Sequence, residues 1–167
     1  MNRFLPKVAD NNFLGPKIAF YFFLLFMVVN TVRSFIHFLA EDAGLNSIAN
    51  IIIFEGDPDP NKIIYLFGAL WGEMQLLLCL ISWIVIFRYK SLIPMMYFIW
   101  LMEWILRVTV IRLNHGLDSI YTSGPTPGSD YAPIAIGLLL VFFIMSLKVK
   151  SKCCLLYTSP SPRDDVI

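Results

Sequence analysis

Apolar residues in this chain come in long blocks, neither alternating as in strands nor confined to one stripe as in surface helices. A helix crossing the hydrocarbon core of a bilayer needs about 20 predominantly apolar residues. Four stretches answer to that description: residues 18–40, 63–87, 92–111 and, shortest, 132–147. Helix-boundary residues flank them. Asp59-Pro60 offers a cap and a first-turn proline, Ser129 or Asp130 does the same ahead of Pro133, and Asn114 and Gly116 close the third stretch. The pattern predicts an all-α membrane protein, a four-transmembrane-helix bundle occupying residues 18–152 behind a segment of residues 1–17. That first segment lacks the apolar run and small-residue cleavage site of a secretory signal.

The charges between the blocks add an orientation. Arg3, Lys7 and Lys17 precede the first span, Arg88 and Lys90 fill the turn between the second and third, and Lys148, Lys150 and Lys152 follow the fourth. The other two connections carry Glu41, Asp42, Glu55, Asp57, Asp59, Asp118 and Asp130, with Lys62 and Arg112 at their edges. By the positive-inside rule both termini and the short turn face the cytoplasm, an N-in/C-in topology in a bacterial plasma membrane. Composition agrees: 57% of residues are hydrophobic, 15% are charged and mean hydropathy is +0.69. A net charge of +1 gives no basic field for nucleic acid, so the expected partner is the lipid bilayer. Cys79 reads as a packing residue, and no disulfide is expected.

Two resemblances follow from short runs. CLLYTSPSPRD, residues 154–164, resembles the conceptual translation of a transposase-type sequencing-library adapter read in frame. Residues 153–167 are therefore set aside as a non-native tail, which implies a gene recovered by bulk environmental sequencing and a different natural C-terminus. RSFIHFLAEDAGLNSIANI, with FRYKSLIP after it, resembles a group of small four-span bacterial membrane proteins that are uncharacterised, so the likeness implies a fold and no activity.

The third block interrupts its apolar run with WLMEWILR, residues Trp100 to Arg107. At about 100° per residue, Trp100, Glu103 and Arg107 share one helix face, with Met96 a turn below. On the first span, Asn30, Arg33, Ser34, His37 and Glu41 form a polar stripe, and the second span adds Glu73. At about 1.5 Å per residue, Arg33, Glu73, Glu103 and Arg107 fall within roughly 8 to 15 Å of the outer boundary. Each charge facing lipid would cost at least about 2.5–3.5 kcal/mol, so all four are expected to face the bundle interior. There Glu103 pairs with Arg107 and Arg33 with Glu73, or the reverse, with formal charges cancelling. Ligand-binding or proton-relay candidates are accordingly Arg33, His37, Glu73, Glu103 and Arg107. They suit an outward-facing site for a small polar or anionic solute or for protons. The alternative is a structural clamp in an accessory subunit of a membrane complex.

Gly68 and Gly72 form a GxxxG pair within a small or weakly polar stripe that runs on through Gln75, Cys79 and Ser82. That stripe suits either a neighbouring helix of the same chain or a homodimer through span two. His115, Asp118, His37, Glu41 and Asp42 gather near the outer surface without metal-ligand spacing, and neither metal nor other cofactor is expected. Asp57, Asp59 and Asn61 open like a calcium loop, but prolines interrupt them and the glycine and terminal Glu are missing. The outer loop after the third span, SGPTPGSDY, reads as a flexible linker, and residues 48–54 as an interfacial apolar patch. GLNSI and GLDSI, each following an Arg-bearing span, hint at a duplicated hairpin. No HExxH, nucleophile elbow or glycine-rich phosphate loop argues for an enzyme.

Overall fold

A computed structural model of the chain describes residues 3–148, so the tail at 153–167 lies outside the described residues. Those residues are helical, with no strand beyond one isolated bridge between Ile51 and Thr122. Helices α1 (Lys17–Leu39) and α2 (Asn61–Arg88) are long and apolar enough to cross a membrane. So is the continuous stretch Lys90–His115. That stretch comprises a 3-10 turn, α3 (Ile93–Leu106), a π-helical turn at Arg107–Ile111 and α4 (Arg112–His115), closing at Gly116. After α5 (Pro127–Asp130), the shorter apolar helix α6 (Ala132–Ser146) has 15 residues.

α2 lies mainly on α1, and α3 on α6. The closeness of α1 and α2 comes from Gly72, while Gly68 admits the turn that follows α1. A Cβ on Gly72 would stand 2.7 Å from the His37 carbonyl carbon and the Phe38 nitrogen, and one on Gly68 2.9 Å from the Ala43 Cβ. The face named above for a homodimer is therefore occupied within the chain. Its neighbours Gln75, Cys79 and Ser82 are buried as well.

Aromatic side chains with one polar atom cross-link the helices while burying their rings. Trp83 Nε1 donates to Thr31 Oγ1 (3.0 Å), Trp100 Nε1 to Ser82 Oγ (3.0 Å), and Tyr97 Oη to the Ala19 carbonyl (2.6 Å). Residues 3–16 cross the end of the bundle that carries the short turn. The Asp10 amide donates to Ser91 Oγ (2.9 Å), and Arg3 reaches the Leu147 carbonyl (3.0 Å).

The opposite end departs from expectation. The second loop is no free linker, because it is stitched to the apolar patch of the first. Asn50 Nδ2 donates to the Pro125 carbonyl (2.6 Å), Ser123 N to the Asn50 carbonyl (2.8 Å), and Ile52 N to the Tyr121 carbonyl (3.1 Å). Residues 48–54 thus satisfy backbone groups across the loops. Gly44 has a left-handed φ of +66° whereas Gly116 has φ −63°, so the GLNSI and GLDSI echoes do not share a conformation. Asp59 Oδ1 accepts the first amide of α2 at 2.9 Å, as its position suggested, but neither Ser129 nor Asp130 caps α6.

Removing the Asn50 side chain is expected to loosen this stitch by about 1 kcal/mol, the net worth of one hydrogen bond. Limited proteolysis of Asn50→Ala should then cut between residues 117 and 130 several-fold faster than in the parent, with cleavage elsewhere unchanged.

Candidate functional site

The polar stripe of α1 turns inward. Asn30, Ser34 and His37 are buried, and Arg33 is half-buried against α2 and α3. Glu41 lies beyond the end of α1 and is exposed. Asn30 Nδ2 and Ser34 Oγ return to backbone carbonyls of their own helix, which leaves Arg33 as the stripe's outreaching group.

A chain of polar contacts then runs across three helices. Arg33 Nη2 donates to Gln75 Oε1 of α2, and Gln75 Nε2 donates to Glu103 Oε1 of α3 at 2.9 Å. The same carboxylate oxygen accepts Arg107 Nη2, one helical turn along, in an ion pair. Two tryptophans flank the guanidiniums. Arg33 lies 5.3 Å from the Trp71 ring and 5.7 Å from Trp104, and Arg107 lies 5.0 Å from each. The quadrupoles of the indole faces offset part of the repulsion between two neighbouring cations.

The Glu103–Arg107 pairing within the third span matches the helical spacing. Glu73 does not match its expected place. It stands on the exposed side of α2, and no cation pairs with it among the described residues. Gln75, two residues along and about 200° around the helix, turns inward instead. Arg33 therefore meets a neutral amide where a carboxylate was expected. The predicted cancellation of charge fails: Arg107 pairs with Glu103 while Arg33 reaches that carboxylate only through Gln75, an excess of one positive charge in the cluster.

His37 stands behind Trp71, its ring 4.7 Å from the indole and its Nδ1 2.7 Å from the Ala43 carbonyl. It supports the wall of the site without touching Glu103. The acidic and histidine residues His37, Glu41, Asp42, His115 and Asp118 do not assemble either. Among the described residues no group of three or more His, Cys, Asp or Glu side chains is gathered. Asp42 instead accepts the amides of Gly44 (2.8 Å) and Ser47 (2.7 Å). Slight burial works to raise its carboxyl, but these amides outweigh it and hold the group below the usual carboxylate range.

A pocket of about 420 Å³ opens beside the cluster, lined by Trp71, Glu103, Leu106, Arg107 and Ile111. The π-helical turn begins at Arg107, and such turns recur at functional sites because they re-aim the residues that follow. Three buried polar atoms in the cluster have no hydrogen-bond partner among the described residues: Arg33 Nε, Trp104 Nε1 and Glu103 Oε2. Leaving each unmet costs about 1–3 kcal/mol, so two donors and one acceptor are ready for a small polar guest.

Trp71, Gln75 and Trp104 are the members that charge counting passed over. Helical spacing could have found them, since Trp71 precedes Gln75 by one turn, and Trp104 adjoins Glu103. No protein-family model, curated protein or solved structure matches the chain.

Proposed function

We propose that this is a multi-pass plasma-membrane protein that binds a small anion in the outer half of a four-span bundle and serves to take it up or pass it across. The carrying observation is the uncompensated charge: beside an open pocket Arg107 pairs with Glu103, and Arg33, joined to that carboxylate only through Gln75, has no carboxylate of its own among the described residues. A purely structural ion pair needs no second cation. Buried pairs also contribute little net stability, because desolvation offsets the Coulomb gain. Ionisable residues at membrane depth mark ligand or ion sites by default.

In this reading α6 is the fourth span. Its 15 residues reach roughly 22 Å, and the adjoining α5 turn and Lys148 carry it towards both interfaces. The N-in/C-in topology rests on the lysines and arginines at one end, which places the stitched acidic loops and the pocket outside.

Trp71 and Trp104 make binding observable. Titrating acetate, nitrate or phosphate into purified protein at constant ionic strength should change tryptophan emission saturably for at least one of them. Arg33→Gln should weaken that response at least tenfold, and Arg33→Lys less. A linear, unsaturable response shared by the parent and Arg33→Gln rejects the site. A helix clamp is the second reading, favoured by the Arg33–Gln75–Glu103 chain that ties three helices together.

A further inference from the structure

Glu103 and Arg107 are the two charged groups that line the pocket beside the cluster. Each has bonding capacity left over. Glu103 Oε1 accepts from both Gln75 and Arg107, whereas Oε2 accepts from nothing among the described residues. The Arg107 guanidinium uses Nη2 for that ion pair, which leaves most of its N–H donors for a guest. A guest with acceptors alone would answer Arg107 and leave Oε2 unmet. One with donors alone would do the reverse. Because the two side chains touch, the acceptor and the donor of a guest that answers both must be close neighbours in it.

Charge and lining narrow the class further. The cluster carries an excess of one positive charge, so a guest that balances it is a monoanion. An amino-acid zwitterion has the neighbouring acceptor and donor but no net charge. The rest of the lining, Trp71, Leu106 and Ile111, is apolar, and about 420 Å³ is far more than a bare inorganic oxyanion fills. Apolar walls with a few convergent polar groups suit an organic ligand. We propose that the anion is an α-hydroxycarboxylate with a short apolar chain. Its carboxylate accepts from Arg107, its hydroxyl donates to Glu103 Oε2, and its chain lies against Leu106 and Ile111. The inference rests on the anion site proposed above and names its substrate class. Oε2 is buried, so the hydroxyl reaches it through a turn of the last Glu103 torsion. That torsion is soft, and the side chain keeps 24% of its exposure.

The test titrates tryptophan emission of the purified full chain at constant ionic strength. It compares α-hydroxyisocaproate with probes that each lack one feature: isocaproate lacks the hydroxyl, glycolate the apolar chain and leucine the net charge. The parent should bind α-hydroxyisocaproate about tenfold more tightly than isocaproate or leucine, the scale of one buried acceptor met or unmet. It should bind glycolate several-fold more weakly. Glu103→Gln should reverse the preference for the hydroxyl. Gln75 and Arg107 keep an acceptor at the Oε1 position, so the introduced amide nitrogen takes the Oε2 position, where a donor suits the plain acid. Ile111→Ala, at an exposed position, should shrink the preference over glycolate and keep that over isocaproate. Thermal unfolding shows that each variant is folded, and the parent's own series decides the matter if one is not. Isocaproate or leucine bound by the parent as tightly as α-hydroxyisocaproate would overturn the inference and leave the anion site standing. If no probe and no inorganic anion binds saturably, the anion site itself falls and the inference with it.

Discussion

Gly72→Leu is expected to lower the unfolding temperature more than any other single substitution in the long apolar helices. The first added atom alone would sit 2.7 Å from two backbone atoms of α1, His37 C and Phe38 N, and 2.9 Å from the His37 Cβ. Backbone cannot rotate aside as a side chain can, so α1 and α2 must separate along their length. Overpacking a close contact typically costs about 1–3 kcal/mol, and loss of the surrounding contacts adds to it. Separation also moves His37 away from Trp71, one residue before the glycine, and so opens the wall of the polar cluster. Gly72→Ala should show the same direction at smaller size. Gly128→Ala, where an added Cβ meets nothing within 4 Å, should leave unfolding unchanged. Circular dichroism on heating in detergent distinguishes the three.

Glu103→Gln carries the second large effect. It keeps the shape and one acceptor but removes the carboxylate that Arg107 pairs with and Gln75 reaches. Breaking a fully buried pair costs about 3–5 kcal/mol. Here the partners keep 18% and 24% of their side-chain exposure, so the expected loss is about 2 kcal/mol. Two guanidiniums would then face each other across the indoles with no acid between them. Adding Arg107→Gln removes that repulsion, and the double variant should recover most of the stability. A double variant as unstable as Glu103→Gln alone would show instead that the pair is held for the architecture, as in the clamp reading.

The comparison of expectation with structure turns on which signals helical geometry carries. Residue rotation placed Arg33, Glu103 and Arg107 on inward faces, because their neighbours in the helix repeat are unambiguous. The same rotation held the information about Glu73, since Gly68, Gly72, Gln75, Cys79 and Ser82 mark the inner face of α2 and Glu73 lies away from it. The expectation went astray by pairing Glu73 with Arg33 on charge alone, against that rotation. Two other features had no sequence signature. The π-helical turn at Arg107–Ile111 is a choice of backbone partner that no residue type enforces. The stitched loops depend on Asn50 meeting Ser123 and Pro125, residues more than 70 positions apart in an otherwise turn-rich sequence.

The excess positive charge is the feature on which the functional proposal stands, and thermal unfolding of the parent, Glu103→Gln and Arg107→Gln across an anion series is the measurement to make first. Acetate, nitrate, chloride and phosphate would be compared at constant ionic strength, so that general screening is the same throughout. If Arg33 and Arg107 form an anion site, at least one anion stabilises the parent saturably. The gain should be larger in Glu103→Gln, where an anion can replace the missing carboxylate, and largely absent in Arg107→Gln. If the cluster is only a clamp, all three proteins respond alike to every anion, and Glu103→Gln stays destabilised whatever is added.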